Sequence, residues 1–300
     1  MSPQYRSKSF ALLLALLGAA CASTPEKLAP HQPILDRPDD PIGKFLADAD
    51  AAIARWCRLS LTANTTEERR EQRLLEQVLN DRTSKRRPDL VRELESGPPI
   101  NRIRAAAALG FTHAVEAQSP LLNALSDPLA DVQHNALLGL AILARADTPL
   151  EPICRLCEFS PDAETRGQAA FALRSIVNAG GAADCAATTA RRGLIDSEAF
   201  VRSQCALTLG LLGDEPSAPA LCDLLHDESP HAASAAIEAL LLLVDAKPGQ
   251  KGVAGRALLD LHTGSKEPLK GLAMQALVRI SDVNYGEDLG RWTEWAERLP

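Results

Sequence analysis

Apolar and small residues recur along most of this chain three and four positions apart, and one arrangement of them returns again and again. It is clearest from Val201 to Gly213, VRSQCALTLGLLG. Cys205, Leu209 and Leu212 are spaced by four and three, which places them on one face of a helix. Ala206 and Gly210 stand beside that face. A glycine inside a helix costs roughly 1 kcal/mol relative to alanine, so Gly210 is expected to permit close approach of a neighbouring helix. Gly213 is expected to end the helix.

Sliding this unit along the chain and aligning each copy on Arg202 gives six copies. The anchor positions are Arg102, Gln133, Arg166, Arg202, Ala233 and Lys270. Three residues on stand Ala105, Ala136, Ala169, Cys205, Ala236 and Ala273. Seven residues on, every copy has leucine: Leu109, Leu140, Leu173, Leu209, Leu240 and Leu277. Ten residues on come Thr112, Leu143, Ile176, Leu212, Leu243 and Ile280. The copies recur every 31 to 37 residues or about that, within the period of helical solenoids. An apolar helix precedes each copy, starting near Pro88, Pro120 or Pro152 in the early ones, where proline is tolerated in a first helical turn. The aspartates between the paired helices, Asp127, Asp162, Asp196 and Asp227, are expected to cap the second helix or the turn backbone.

The run Asp-x-x-x-x-Val-Arg-x-x-Ala-Ala-x-x-Leu-Gly behind an apolar helix resembles the second helix of a HEAT-like repeat. Asp196, Val201, Arg202, Ala206, Leu209 and Gly210 carry it best, and Asp127, Val132, Ala136 and Leu140 less completely. The subgroup it resembles includes phycocyanobilin lyases and many bacterial scaffold proteins. The copies anchored on Ala233 and Lys270 have lost Val, Arg or both. The resemblance implies an all-α, right-handed α-solenoid of HEAT-like helix pairs over residues 82–300, closed by a carboxy-terminal cap helix. It says almost nothing about activity, because such a fold hosts many functions.

Composition agrees with that fold. Hydrophobic residues make up 46% of the chain and aromatics only 4%, so alanine and leucine build the core. A formal net charge of −7 lacks the basic field of a general nucleic-acid binder.

The amino terminus reads as an address. Arg6 and Lys8 precede an apolar run from Phe10 to Leu17, then Gly18, Ala19, Ala20 and Cys21. Residues 1–20 form a secretory signal peptide. Leu17-Gly-Ala-Ala-Cys21 resembles a bacterial lipobox, with Gly18 where leucine usually stands. The resemblance implies lipidation of Cys21, and Ala22 behind it implies sorting to the outer membrane. Ordinary secretion with cleavage near Ala20 is the alternative. Residues 21–41, with Pro25, Pro30, Pro33, Pro38 and Pro41, read as a semi-extended tether. Residues 42–81 are expected to form two helices that cap the array, with a capping box over Asn64 to Glu67; a separate small helical domain is the other reading.

Six further cysteines follow Cys21. Cys154 and Cys157 have CxxC spacing, but zinc would need two more ligands close by. Buried free thiols are the default expectation; bridges between Cys157 and Cys185 or between Cys205 and Cys222 are the alternative. His226 to His231 reads as a turn. No sequence motif of nucleophile, phosphate loop or metalloprotease occurs, so no residue is assigned a catalytic, cofactor or metal role. Trp292 and Trp295 are expected to cover the open end of the last repeat, with an aromatic binding patch as the alternative.

One column points beyond packing. Five residues after the anchor, a side chain lies about 200° round the helix from the leucine stripe. That column reads Ala107, Leu138, Phe171, Leu207, Glu238 and Gln275, so Leu138, Phe171 and Leu207 are expected to form an exposed apolar row on the concave face. Arg104, Asn135, Gln168 and Gln204 would rim it. The function expected is a non-catalytic scaffold that binds a protein partner at the bacterial envelope, without cofactor, nucleic acid or small-molecule substrate, and is held to the membrane through Cys21. A lyase-like enzyme or enzyme accessory subunit, and a self-associating structural protein, are the alternatives.

Overall fold

The structure, a computed structural model, describes residues 41–181, 184–265 and 267–299. The expected leader, Cys21 and all of the expected tether but Pro41 lie outside the described residues. Fifteen α-helices and no strand occur among the described residues, in two compact units, Met1–Leu143 and Ala144–Pro300.

The first unit contains α1 (Ile42–Thr62), α2 (Thr66–Lys85), α3 (Arg87–Ser96), α4 (Pro99–Gly110), α5 (Gln118–Ala124) and α6 (Ala130–Leu143). The helices α1 and α2 share its core, since α1 packs on both α2 and α4. Phe45, Leu46 and Trp56 of α1 are buried, and the Trp56 ring meets Phe111 edge to face at 5.2 Å. The guanidinium groups of Arg82 and Arg86 cover Phe45 at 5.2 and 5.0 Å. The capping box lies one residue later than expected. Thr65 accepts from the Glu68 N–H, and Glu68 accepts from the Thr65 N–H, with Thr65 in the extended backbone of an N-cap.

The second unit contains α7 (Glu151–Phe159), α8 (Ala163–Asn178), α9 (Asp184–Gly193), α10 (Ala199–Leu212), α11 (Ala218–Leu224), α12 (Pro230–Ala246), α13 (Lys251–Gly264), α14 (Leu269–Ser281) and α15 (Leu289–Glu297). Four helix pairs stack in it, with α8, α10, α12 and α14 as second helices packed side by side. Trp292 of α15 is fully buried and donates from Nε1 to the Gly286 carbonyl, while Trp295 lies against Gly255 of α13. The two rings meet edge to face at 5.8 Å, so the pair covers the end of the last repeat.

The aligned leucines lie in the core of each unit. Leu109, Leu140, Leu173, Leu209 and Leu277 are wholly buried, and Leu240 is 1% exposed. Each contributes about 1.5–3 kcal/mol by leaving water. The small residues three after the anchor, from Ala105 to Ala273, are all wholly buried too. They let the second helices come close. In the second unit the backbones come close at Gly210, where a Cβ would stand 2.7 Å from the Ala239 carbonyl oxygen and 2.8 Å from its Cα. In the first unit Gly110 meets Gly139 in the same way. Gly213 ends α10 at φ 62°, the left-handed conformation that favours glycine.

Candidate functional site

The turns between paired helices carry the most distinctive side-chain geometry. The aspartate in each such turn first shapes its own backbone. Asp127, Asp196 and Asp227 accept the N–H two residues on, from Leu129, Glu198 and Ser229, at 2.8–2.9 Å. Asp162 alone is a true N-cap, accepting from Thr165 N–H at 2.7 Å.

The anchor arginine then reaches one repeat forward. Arg202 holds Asp227 through Nε and Nη2, both at 2.7 Å, and donates from Nη1 to the carbonyls of Asp196 and Ser197 in its own turn. Arg166 holds Asp196 at 2.7 and 3.0 Å while donating to the Ser160 carbonyl at 3.2 Å. In the first unit Arg102 holds Asp127 and the Gly97 carbonyl. Gln133 lacks a guanidinium, and its amide turns back to the Asp127 carbonyl. Each arginine therefore clamps two neighbouring turns side by side, through planar bidentate pairing. Burial would raise the carboxyl pKa of Asp196 and Asp227, but the arginine hydrogen bonds, the backbone N–H and the arginine charge outweigh it and hold both below the ordinary aspartate value. Hydrogen bonds from the same pairs raise Arg166 and Arg202. Sequence reading found the caps and missed the clamps. The signal was there, since an Arg anchor is followed 25 or 30 residues later by a turn aspartate in all three cases.

On the edge formed by these turns stand two exposed apolar side chains. Phe159 at the end of α7 is 70% exposed and Ile195 after α9 is 88% exposed. Both lie seven residues before an anchor arginine, hence at one repeat position in neighbouring turns. Arg166 ties those turns together, touching Ser160 beside Phe159 and Asp196 beside Ile195. This pair escaped sequence reading, although a large apolar residue just ahead of a polar turn has no core to enter.

The predicted inner row is corrected. Phe171 and Leu207 are 5% and 2% exposed, and Leu138 is half-buried. Of the expected rim, Arg104 pairs with Asp50 of α1 at 3.3 Å and Asn135 donates to the Asp131 carbonyl. Gln168 is half-buried, with a buried Oε1 that accepts no hydrogen bond from a described residue. Gln204 is wholly buried, and its amide has no partner among the described residues. Arg174 stacks on Phe171 at 5.2 Å with 6% exposure; burial pushes its guanidinium down to about 10, against the opposing pull of Glu238. Phe171 and Leu207 are packing groups in α8 and α10, and Leu138 of α6 is half-covered, so the three do not form an open row.

An open cleft of about 670 Å³ borders α9 and the turn after α10, lined by Asp184, Arg191, Asp214, Glu215 and Lys247 among others. Its charges are mixed, and Arg191 and Asp214 are already paired. All six described cysteines are free thiols. Among the described residues no group of three or more His, Cys, Asp or Glu is arranged to hold a metal, and no helix is long and apolar enough to cross a membrane.

Stacked helix pairs with a shared leucine seam define an α-solenoid of the armadillo and HEAT class. Residues 150–241, within the second unit, match the sequence pattern of HEAT repeats. Among solved structures, a designed armadillo repeat protein in complex with peptide (KR)4 is 18% identical, covering 64% of this chain and 98% of its own, with a TM-score of 0.52. A second designed armadillo repeat protein is 18% identical over 64% of this chain and 99% of its own, with a TM-score of 0.50. The complex of CpcE and CpcF of phycocyanin lyase from Nostoc is 16% identical over 93% of this chain and all of its own, at a TM-score of 0.42. Comparison with curated proteins finds no match.

Proposed function

We propose that this chain is a non-catalytic scaffold that binds a protein partner at the bacterial cell envelope, tethered by lipid on Cys21. The observation that carries the reading is the pair Phe159 and Ile195, two large apolar side chains held out in water on turns that Arg166 fixes in register. Exposed apolar groups on a rigid edge lose little entropy on binding, and such patches are a mark of interaction surfaces. The fold supports it too, since a designed protein of this class holds a peptide. The site moves from the inner row expected of the sequence to the turn edge, because Phe171 and Leu207 are taken up by packing.

The test is crosslinking of the full chain in its native envelope, with bound proteins identified by mass spectrometry. The double variant Phe159→Asp, Ile195→Asp should reduce recovery of a specific partner by about tenfold or more, the effect of losing ~1.4 kcal/mol of contact energy. Its unfolding midpoint should match the unsubstituted chain, because both side chains already lie in water. Equal recovery from the variant, or a small-molecule cofactor that copurifies with turnover, overturns the reading. Mass analysis of the mature amino terminus tests the anchor: a diacylated or triacylated Cys21 is expected, and a free terminus near Ala20 or Cys21 refutes it.

A further inference from the structure

Four of the cysteines meet in the second unit. Cys154 and Cys157 stand on α7, Cys185 on α9 and Cys205 on α10. Cys154 and Cys185 each stand one helical turn before Glu158 and Thr189, which hydrogen-bond across α7 and α9, so this register sets the two thiols against each other; the Cys157 thiol faces Cys205. The pairing differs from the sequence expectation: Cys185 meets Cys154, about one helical turn from the expected Cys157, and Cys205 meets Cys157 of α7 and not Cys222 of α11.

The α7–α9 seam is pinned along its length. Cys154 also contacts the Thr189 hydroxyl, one turn along α9 from Cys185. Thr189 donates to Glu158 of α7, and Arg192, less than a turn further on, pairs with the same carboxylate. Room for the inner pair is made at Gly193, where any Cβ would collide with the Cys205 sulfur. Exposure separates the two pairs. Cys205 is wholly buried and Cys157 is 3% exposed, whereas Cys185 of the other pair reaches the surface and Cys154 lies 4% exposed behind it.

We propose that Cys154 and Cys185 close into a disulfide between α7 and α9 when the chain meets a low-molecular-weight disulfide, while Cys157 and Cys205 stay reduced beneath. Cys185, the accessible thiol, attacks as thiolate and forms a mixed disulfide, expelling one small thiolate. Cys154 then attacks the Cys185 sulfur, forming the Cys154–Cys185 bond and expelling the second small thiolate. Two protein thiols are oxidised, one small disulfide is reduced to two thiols, and the two protons pass to those thiols. Burial raises the pKa of both protein thiols, so the reaction quickens as pH rises through the alkaline range. The crosslink ties the first helices of two neighbouring repeats, below the turns that carry Phe159 and Ile195. It stands independently of the partner-binding reading.

Incubating the full chain with oxidised glutathione, then acid quenching, denaturing, alkylating and mapping peptides, tests it. The expected product links the peptides of Cys154 and Cys185, with Cys157 and Cys205 recovered as alkylated thiols. Dithiothreitol reverses it. The closed loop should raise the thermal midpoint of the unit by about 5 °C or more over the reduced chain. Cys154→Ala should leave glutathione stably on Cys185, because the second thiol is gone, and Cys185→Ala should leave Cys154 unmodified. Recovery of both Cys154 and Cys185 as free thiols overturns the proposal. So does persistent glutathione on Cys185 of the unsubstituted chain, or a Cys157–Cys205 link formed instead. The peptide map of the unsubstituted chain decides even where a variant fails to fold.

Discussion

Two seams of the second unit, α10 against α12 and α8 against α10, are built from the same repeat and solve one position oppositely. Eight residues after the anchor, α10 has Gly210 and α8 has Arg174. At Gly210 the neighbouring backbone comes so near that a single added carbon has no place. At Arg174 a long cation fills the equivalent slot, stacked on Phe171 and pulled by Glu238. Both seams carry an arginine clamp, and that of the glycine seam is the drier: Arg202 and Asp227 are each 9% exposed, against 15% and 13% for Arg166 and Asp196. The repeat thus dictates the leucine seam and the clamp, while the spacing between second helices is left to one variable residue. Where that residue is glycine, stability comes from backbone contact. Where it is arginine, part of it is spent on holding a charge out of water.

Filling the glycine slot should have the largest effect. Gly210→Leu forces α10 and α12 apart and should destabilise the unit by about 3 kcal/mol or more in denaturant titration. A loss below about 1 kcal/mol would show that the close approach is incidental.

Removing the clamp comes next. Asp227→Ala leaves Arg202 without its carboxylate and should cost about 2–3 kcal/mol, more than Asp196→Ala at the wetter pair. Its pH dependence has a fixed sign. The folded pKa of Asp227 lies below the unfolded value, so its stabilisation is present above about pH 4 and is lost as pH falls through the folded pKa. Acid unfolding of the Asp227→Ala chain should therefore be shallower than that of the parent, and identical acid limbs would refute the clamp.

The smallest effect should be of opposite sign. Arg174→Met keeps the volume and removes a buried cation, and should stabilise by about 1 kcal/mol. A loss of 2 kcal/mol or more would mean that the attraction of the Glu238 charge outweighs burial.

The sequence made the leucine stripe, the helix pairs and the close approach at Gly210 legible, because each follows from the helical period and the steric demand of small residues. Leu209 and Ala236 could be placed in the core without knowing any neighbour. What lies between helices was less legible. The helical period sets the side of α8 on which Phe171 stands, yet period alone does not say what covers that side. Cys154 and Cys157 differ by one turn, and choosing which meets Cys185 requires the register of α7 against α9. Asn64 and Thr65 are adjacent candidates for one cap, a choice that apolar spacing cannot make. The turn-edge pair Phe159 and Ile195 lies outside the helical stripes, in segments where apolar period carries no signal.

Asp196 and Asp227 each serve two neighbours at once: the loop that contains them and the guanidinium of the preceding hairpin. A hairpin of this unit is thus finished only once its amino-terminal predecessor is in place. Trimming from the carboxy-terminal side leaves an arginine reaching into solvent, which is tolerable, whereas trimming from the amino-terminal side strips a loop of the partner that steadies it. The order in which a ribosome releases the chain is the order in which these loops can be secured.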